Sequence, residues 1–157
     1  MSSERIVSEG QIDREELVRG LPLFGGLSEE RLHALASVTW VGTVPAGAAI
    51  IEEGEEVLDD EEGLFLIVDG TVEVRKGAND IDDGRLLRTQ EAGEYFGEMA
   101  LIDAQTRSAS VFARTEVQYL AMSRWDFHRQ VRNDPDIALR IMAVLAERLR
   151  SREEELV

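Results

Sequence analysis

Apolar positions change their spacing twice along this chain, from helical to strand-like and back again. Residues 11–36 read as helix in two pieces, separated by Leu21-Pro22-Leu23-Phe24-Gly25-Gly26-Leu27, where proline and paired glycines disfavour continuity. Ser28 can cap the second piece. Glu29 and Glu30 follow in the turn where the helix dipole favours anions, and Leu32, Leu35 and Ala36 form its apolar stripe. From Val38 the pattern is that of strands: residues 38–44, a turn at Pro45-Ala46-Gly47, residues 48–51, residues 64–68, then the hairpin signal Asp69-Gly70. Residues 71–75 alternate as a half-exposed strand, residues 85–90 answer them, and residues 108–113 and 117–122 complete the set. Short strands at this spacing predict an antiparallel barrel or jelly roll.

The end of the chain is helical again. Residues 125–131 form a short piece interrupted near Asn133, after which Asp134 as N-cap and Pro135 at the first helical position start a long closing helix over residues 135–155. Ile137, Ile141 and Val144 can pack on the barrel. Ala138, Met142, Leu145, Leu149 and Leu156 make a second apolar stripe at coiled-coil spacing, which predicts a homodimer through this helix. Trp40 and Trp125 are expected in the core.

Composition narrows the chemistry. The absence of cysteine excludes disulfides, thiolate metal sites and cysteine nucleophiles. No apolar run approaches the roughly 18 residues of a membrane span, and residues 1–10 hold no signal-peptide core, so a cytoplasmic protein without a membrane partner is expected. The net charge of −15 disfavours binding to nucleic acid or anionic lipid, so a small anionic ligand needs a local positive site. Much of that charge lies in Glu52, Glu53, Glu55, Glu56, Asp59, Asp60, Glu61 and Glu62. They lack the alternation and central glycine of an EF-hand, so a solvated hairpin tip is expected and no metal. His33 and His128, the only histidines, sit on helices without the second and third ligands that a metal site requires. No histidine lies near Ser108 or Ser110 to activate a nucleophile, and no catalytic residue is assigned.

The informative segment is Phe96-Gly97-Glu98-Met99-Ala100-Leu101-Ile102, followed within a dozen residues by Arg107-Ser108-Ala109-Ser110-Val111. A glycine at a turn starts a short apolar helix, and a loop brings one arginine to the start of a strand. Backbone N–H groups at a helix start favour a phosphate, and Gly97 lets that backbone come close. Arg107 can give a two-pronged donor set to phosphate oxygens. Glu98, acceptor-only when ionised, suits a hydroxyl such as a ribose 2′-OH. On the residues alone, a Glu98–Arg107 ion pair would account for both equally well.

The segment resembles the phosphate-binding cassette of the cyclic nucleotide-binding domain family, found in kinase regulatory subunits, nucleotide-gated channels and catabolite activator proteins. The matching pattern is Phe-Gly-Glu-x-Ala-Leu, then nine residues from glutamate to an arginine followed by a small residue, Ala, and Val two places later. The flanking elements follow in the family's order over residues 20–150. The resemblance implies an eight-stranded antiparallel β-roll, mainly β with flanking helices, in a domain over residues 20–157 preceded by a helical extension over residues 1–19. Glu98 would take the 2′-OH and Arg107 the cyclic phosphate. Gly97, Met99 and Ala100 would donate or line at the helix start, and Ser108 and Ala109 would add contacts to the phosphate. Ser108 is compatible with adenine or guanine. Arg148, Leu149 and Arg152 fall where the activator branch reaches the base, although a solvated helix end explains the arginines too.

The implied function is a cAMP- or cGMP-binding regulatory module, not an enzyme, that needs no cofactor and signals by movement of the closing helix to a protein partner, a dimer mate or a larger assembly. The rival is a structural or interaction module that has lost the ligand. Three departures from the family stand out. Thr106 replaces the common proline before the arginine, and the turn between Gly54 and Gly63 is several residues longer and strongly acidic. No helix-turn-helix follows the long helix before Val157, so a stand-alone module without a DNA-binding domain is expected.

Overall fold

The computed structural model describes residues 12–58, 60–103 and 106–156, and for residue 148 and residues 152–156 the backbone alone. Helix α1 (Arg14–Arg19), a 3-10 turn (Pro22–Phe24) and α2 (Glu29–Ser37) come first. Asp13 caps α1 by accepting from Glu16 N–H at 3.1 Å, and Ser28 caps α2 by accepting from Arg31 N–H at 3.3 Å. Strands β1 (Trp40–Val44), β2 (Ala49–Ile51), β3 (Glu62–Asp69), β4 (Thr71–Lys76), β5 (Arg85–Glu91) and β6 (Tyr95–Phe96) follow. Then come α3 (Met99–Ile102), β7 (Ser110–Ala113), β8 (Val117–Ser123), α4 (Arg124–Asn133) and α5 (Asp136–Leu156). The strands form two antiparallel four-stranded sheets, ordered β1-β8-β3-β6 and β2-β7-β4-β5. This is the expected eight-stranded β-roll with flanking helices.

The long apolar run of β3 is explained by burial on both faces, which removes the alternation of a half-solvated strand. Phe65 and Ile67 point into the roll with Val72, Val74, Val111 and Tyr119. Leu64 and Leu66 point the other way with Leu120 and Met122, into a second core closed by Leu23, Phe24, Leu35, Phe127, Ile137 and Ile141 of the helices. One sheet is therefore sandwiched between the roll interior and the helical layer.

Several local readings are corrected. β6 escaped the sequence reading because two residues carry no periodicity. The strand expected from Val38 begins at Trp40, because Val38 still donates its N–H to Leu35 at the end of α2. Asp134 ends α4, its N–H bonded to Gln130 O at 2.9 Å, and α5 starts at Asp136. Trp125 is 50% exposed on α4, not in the core, because Phe127 takes the inward position of that helix. Trp40 is half-buried against the roll interior. On α5, Ile137 and Ile141 are buried as expected, and Leu145 is half-buried against the same core. Leu139, Met142 and Leu149 stay 61%, 55% and 64% exposed. No helix among the described residues is long and apolar enough to cross a membrane.

Candidate ligand-binding site

The cassette is held by its two ends. At its entrance, Phe96 pairs with Phe65 across β6 and β3, and their rings stack at 5.0 Å, 7° from parallel. That anchors Gly97, whose φ of +80° is open to glycine and strained for any L side chain. A Cβ there would also stand 2.8 Å from Gly63 O and 3.0 Å from Arg107 Nη1, so the close approach demands glycine twice over. α3 follows as a single turn, with Ala100 N–H on Gly97 O and Leu101 N–H on Glu98 O, each at 3.0 Å. Ala100 N–H is thus used within the turn, and Ala100 contributes to the wall as a lining methyl.

At the exit, the backbone of Arg107 is clamped by the acidic hairpin. Arg107 N–H donates to Glu55 O at 2.9 Å, and Gly54 N–H donates to Arg107 O at 2.8 Å. The guanidinium donates to Glu62 O at 2.7 Å, Gly97 O at 3.3 Å and Gly63 O at 3.5 Å. Burial lowers the Arg107 pKa from its ordinary value, while the carboxylates of Glu55, Glu61, Glu62 and Glu98 act in the opposite direction. Among the ion pairs of the described residues none joins Arg107 to Glu98 within 4.0 Å, and the Glu98 carboxylate acts on the guanidinium from farther off. The acidic segment does have a structural part here: it holds the loop before β7 from which Arg107 projects.

These elements enclose a cavity of about 300 Å³. Gly97, Glu98, Met99, Ala100, Arg107, Ser108 and Ala109, all singled out from the sequence, line it together. Ile51, Val74, Phe96 and Val111 supply apolar walls, and Arg88 lines it from β5. The sequence reading missed Arg88, whose place follows from register: it faces Val74 across the β4–β5 pair, and Val74 belongs to the roll interior. Alternation along β5 was the available signal, but it does not say which face is the inner one. Leu149 stands exposed on α5 and does not line the cavity, and the side chains of Arg148 and Arg152 lie outside the described residues. Among the described residues no group of three or more His, Cys, Asp or Glu is placed to hold a metal.

A family model described as the cyclic nucleotide-binding domain matches residues 41–134, which run from β1 through the cassette to the end of α4. The chain belongs to this family. The family is one of ligand-binding regulatory domains. A cyclic nucleotide-gated potassium channel of Rhizobium etli is 37% identical over 133 residues, covering 85% of this chain and 34% of the channel. The cyclic AMP receptor protein of Thermus thermophilus is 34% identical, covering 88% of this chain and 62% of that protein. The chain thus spans less than two thirds of these relatives. Among solved structures, the N-terminal domain of a transcriptional regulator from Streptomyces coelicolor A3(2) superposes with a TM-score of 0.76 at 26% identity, covering 90% of this chain and 95% of that one.

Proposed function

We propose that this chain is a sensor module that binds a cyclic purine nucleotide in the cassette cavity, with the cyclic phosphate on Arg107 and Ser108 and the ribose 2′-OH on Glu98. The observation that carries the reading is convergence. A guanidinium, a carboxylate, a hydroxyl and a close-approach glycine, spread over a dozen residues, share one cavity with apolar walls. That is the mixture a sugar phosphate carrying a flat base calls for. The base then lies toward β5, where Arg88 offers N–H donors only. Guanine presents two acceptors, O6 and N7, on one edge, whereas adenine pairs N7 with a donor amino group. Arg88 therefore favours cGMP over cAMP.

Output passes through the helical layer to a partner, and α5 is the surface for it. Leu139, Met142 and Leu149 recur at spacings of three and seven on its exposed side, which suits a second copy packing in parallel. Calorimetric titration with cGMP and cAMP, alongside melting curves, tests the core of the reading. Saturable one-to-one binding and a ligand-dependent rise in Tm are expected. A folded protein that binds neither nucleotide would instead be the structural module.

A further inference from the structure

The acidic segment between β2 and β3 is built into the phosphate end of the cavity by its backbone. Glu55 O accepts from Arg107 N–H at 2.9 Å, and Glu62 O accepts from the guanidinium at 2.7 Å. These bonds fix Glu55, Glu62 and its neighbour Glu61 near the cation, Glu55 and Glu61 exposed and Glu62 half-buried. Their carboxylates do not touch it: among the ion pairs of the described residues none joins Arg107 to a carboxylate within 4.0 Å. Burial lowers the Arg107 pKa, and Glu55, Glu61, Glu62 and Glu98 oppose that through space. Lys76 adds a cation at this end by donating to Ser108 O at 2.6 Å, and the carboxylate of Glu53 accepts from the next residue, Gly77 N–H, at 2.9 Å. A phosphate bound at Arg107 therefore meets one cation in contact and several carboxylates at longer range.

We propose that Glu55, Glu61 and Glu62 are specificity-determining residues, which select a singly charged cyclic phosphate against the more highly charged phosphates of linear nucleotides. The proposal rests on the nucleotide-binding reading above. A cyclic phosphodiester carries one negative charge near neutrality, whereas a terminal phosphate monoester carries close to two. Coulomb energy grows in proportion to the ligand's charge. A guanidinium alone would therefore prefer the dianion. The three carboxylates subtract from that preference, because they repel a dianion about twice as strongly as a monoanion. Acting from a distance, they leave the guanidinium N–H groups unblocked and discriminate by charge, not by shape. The longer, acidic turn between Gly54 and Gly63 thereby acquires a task at the site it adjoins.

The experiment is displacement calorimetry near pH 8 at low salt, with cGMP as ligand and 5′-GMP as competitor, or cAMP and 5′-AMP where that pair binds more tightly. Wild type is compared with the triple variant Glu55→Gln, Glu61→Gln, Glu62→Gln. The cyclic nucleotide should bind the variant roughly three- to tenfold more tightly and the 5′-monophosphate roughly ten- to a hundredfold. The control triple Glu91→Gln, Glu94→Gln, Glu116→Gln makes the same change in net charge around the other end of β4, where Glu91 pairs with Thr71. It should leave the affinity ratio of the two ligands unchanged within about twofold. In about 1 M salt, which screens charges beyond about 3 Å, the difference between wild type and the first variant should largely disappear. Equal gains for both ligands, an equal shift in the control, or a 5′-monophosphate that displaces the ligand from neither protein overturns the proposal. If the first variant does not fold, wild type decides: its selectivity for the cyclic form should fall as salt rises, and salt-independent selectivity overturns the proposal. Failure of wild type to bind either cyclic nucleotide overturns the binding reading itself, whereas tight binding with undiminished selectivity in the variant overturns this proposal alone.

Discussion

At the scale of single residues, the candidate site divides into a part written locally in the sequence and a part that only folding assembles. Gly97, Glu98, Arg107 and Ser108 were legible because one loop and one turn carry them all, and short-range geometry suffices to place them. Arg88 was not, because it enters the cavity from an edge strand whose inner face is set by its register with β4. The three backbone carbonyls around the Arg107 guanidinium were equally hidden, since two belong to Glu62 and Gly63, far away in the chain. Arg88 carries a prediction of its own. Each two-pronged Arg–guanine pair gives about 1–3 kcal/mol of discrimination, so Arg88→Ala should cost roughly fivefold to more than a hundredfold in cGMP affinity. Competition titrations with both nucleotides measure it. Equal losses for cGMP and cAMP would mean that Arg88 does not read the base.

At the scale of elements, the long strands and helices followed from periodicity, whereas their ends did not. β3 declared itself through an unbroken apolar run because both of its faces are buried, but β6 is too short to have a pattern. The break between α4 and α5 is visible in the sequence; Asp134 ends the first helix and its carboxylate bridges to Arg31, while its carbonyl accepts from Ile137 N–H at 3.1 Å at the start of the second. Glu73 of β4 sits in an ionic triad with Arg75 and Arg114. Glu73 accepts from Arg114 Nε at 2.6 Å and from Arg75 Nη2 at 2.7 Å, joining β4 to the turn between β7 and β8. The Arg114 bonds, with Arg75 in support, hold the Glu73 carboxyl at about 2 against their partial opposition by burial. A depressed folded pKa means the triad contributes its full stability above the ordinary carboxylate pKa near 4.5 and loses it as pH falls through about 2. Glu73→Gln should therefore destabilise the protein by about 2 kcal/mol near neutrality, with the gap to wild type closing towards pH 2. Melting both proteins across that range tests the sign. A constant gap would show that the contribution is not one of charge.

At the scale of the whole molecule, charge and exposed apolar surface pull in opposite directions. A net charge of −15 on each chain opposes self-association, and added salt screens that repulsion. The exposed Leu139, Met142 and Leu149 favour association through α5, each large side chain contributing about 1.5–3 kcal/mol when buried, before the cost of association. The expected outcome is a dimer that strengthens with salt and that Leu149→Glu abolishes. Leu149 is the better site for this test than Leu145, which is packed on its own core. Sedimentation at low and moderate salt reads the result, and a wild-type monomer at tens of micromolar in both would rule the dimer out.

Whether Arg107 holds the phosphate of a cyclic nucleotide is decided by calorimetric titration of wild type and Arg107→Ala. Removing the cation leaves the bound anion without its partner, a loss of about 2–5 kcal/mol, or roughly thirtyfold to several thousandfold in affinity. Saturable one-to-one binding is expected of wild type, with a loss of that size in a variant that still folds. Unchanged affinity in a folded Arg107→Ala protein would contradict it.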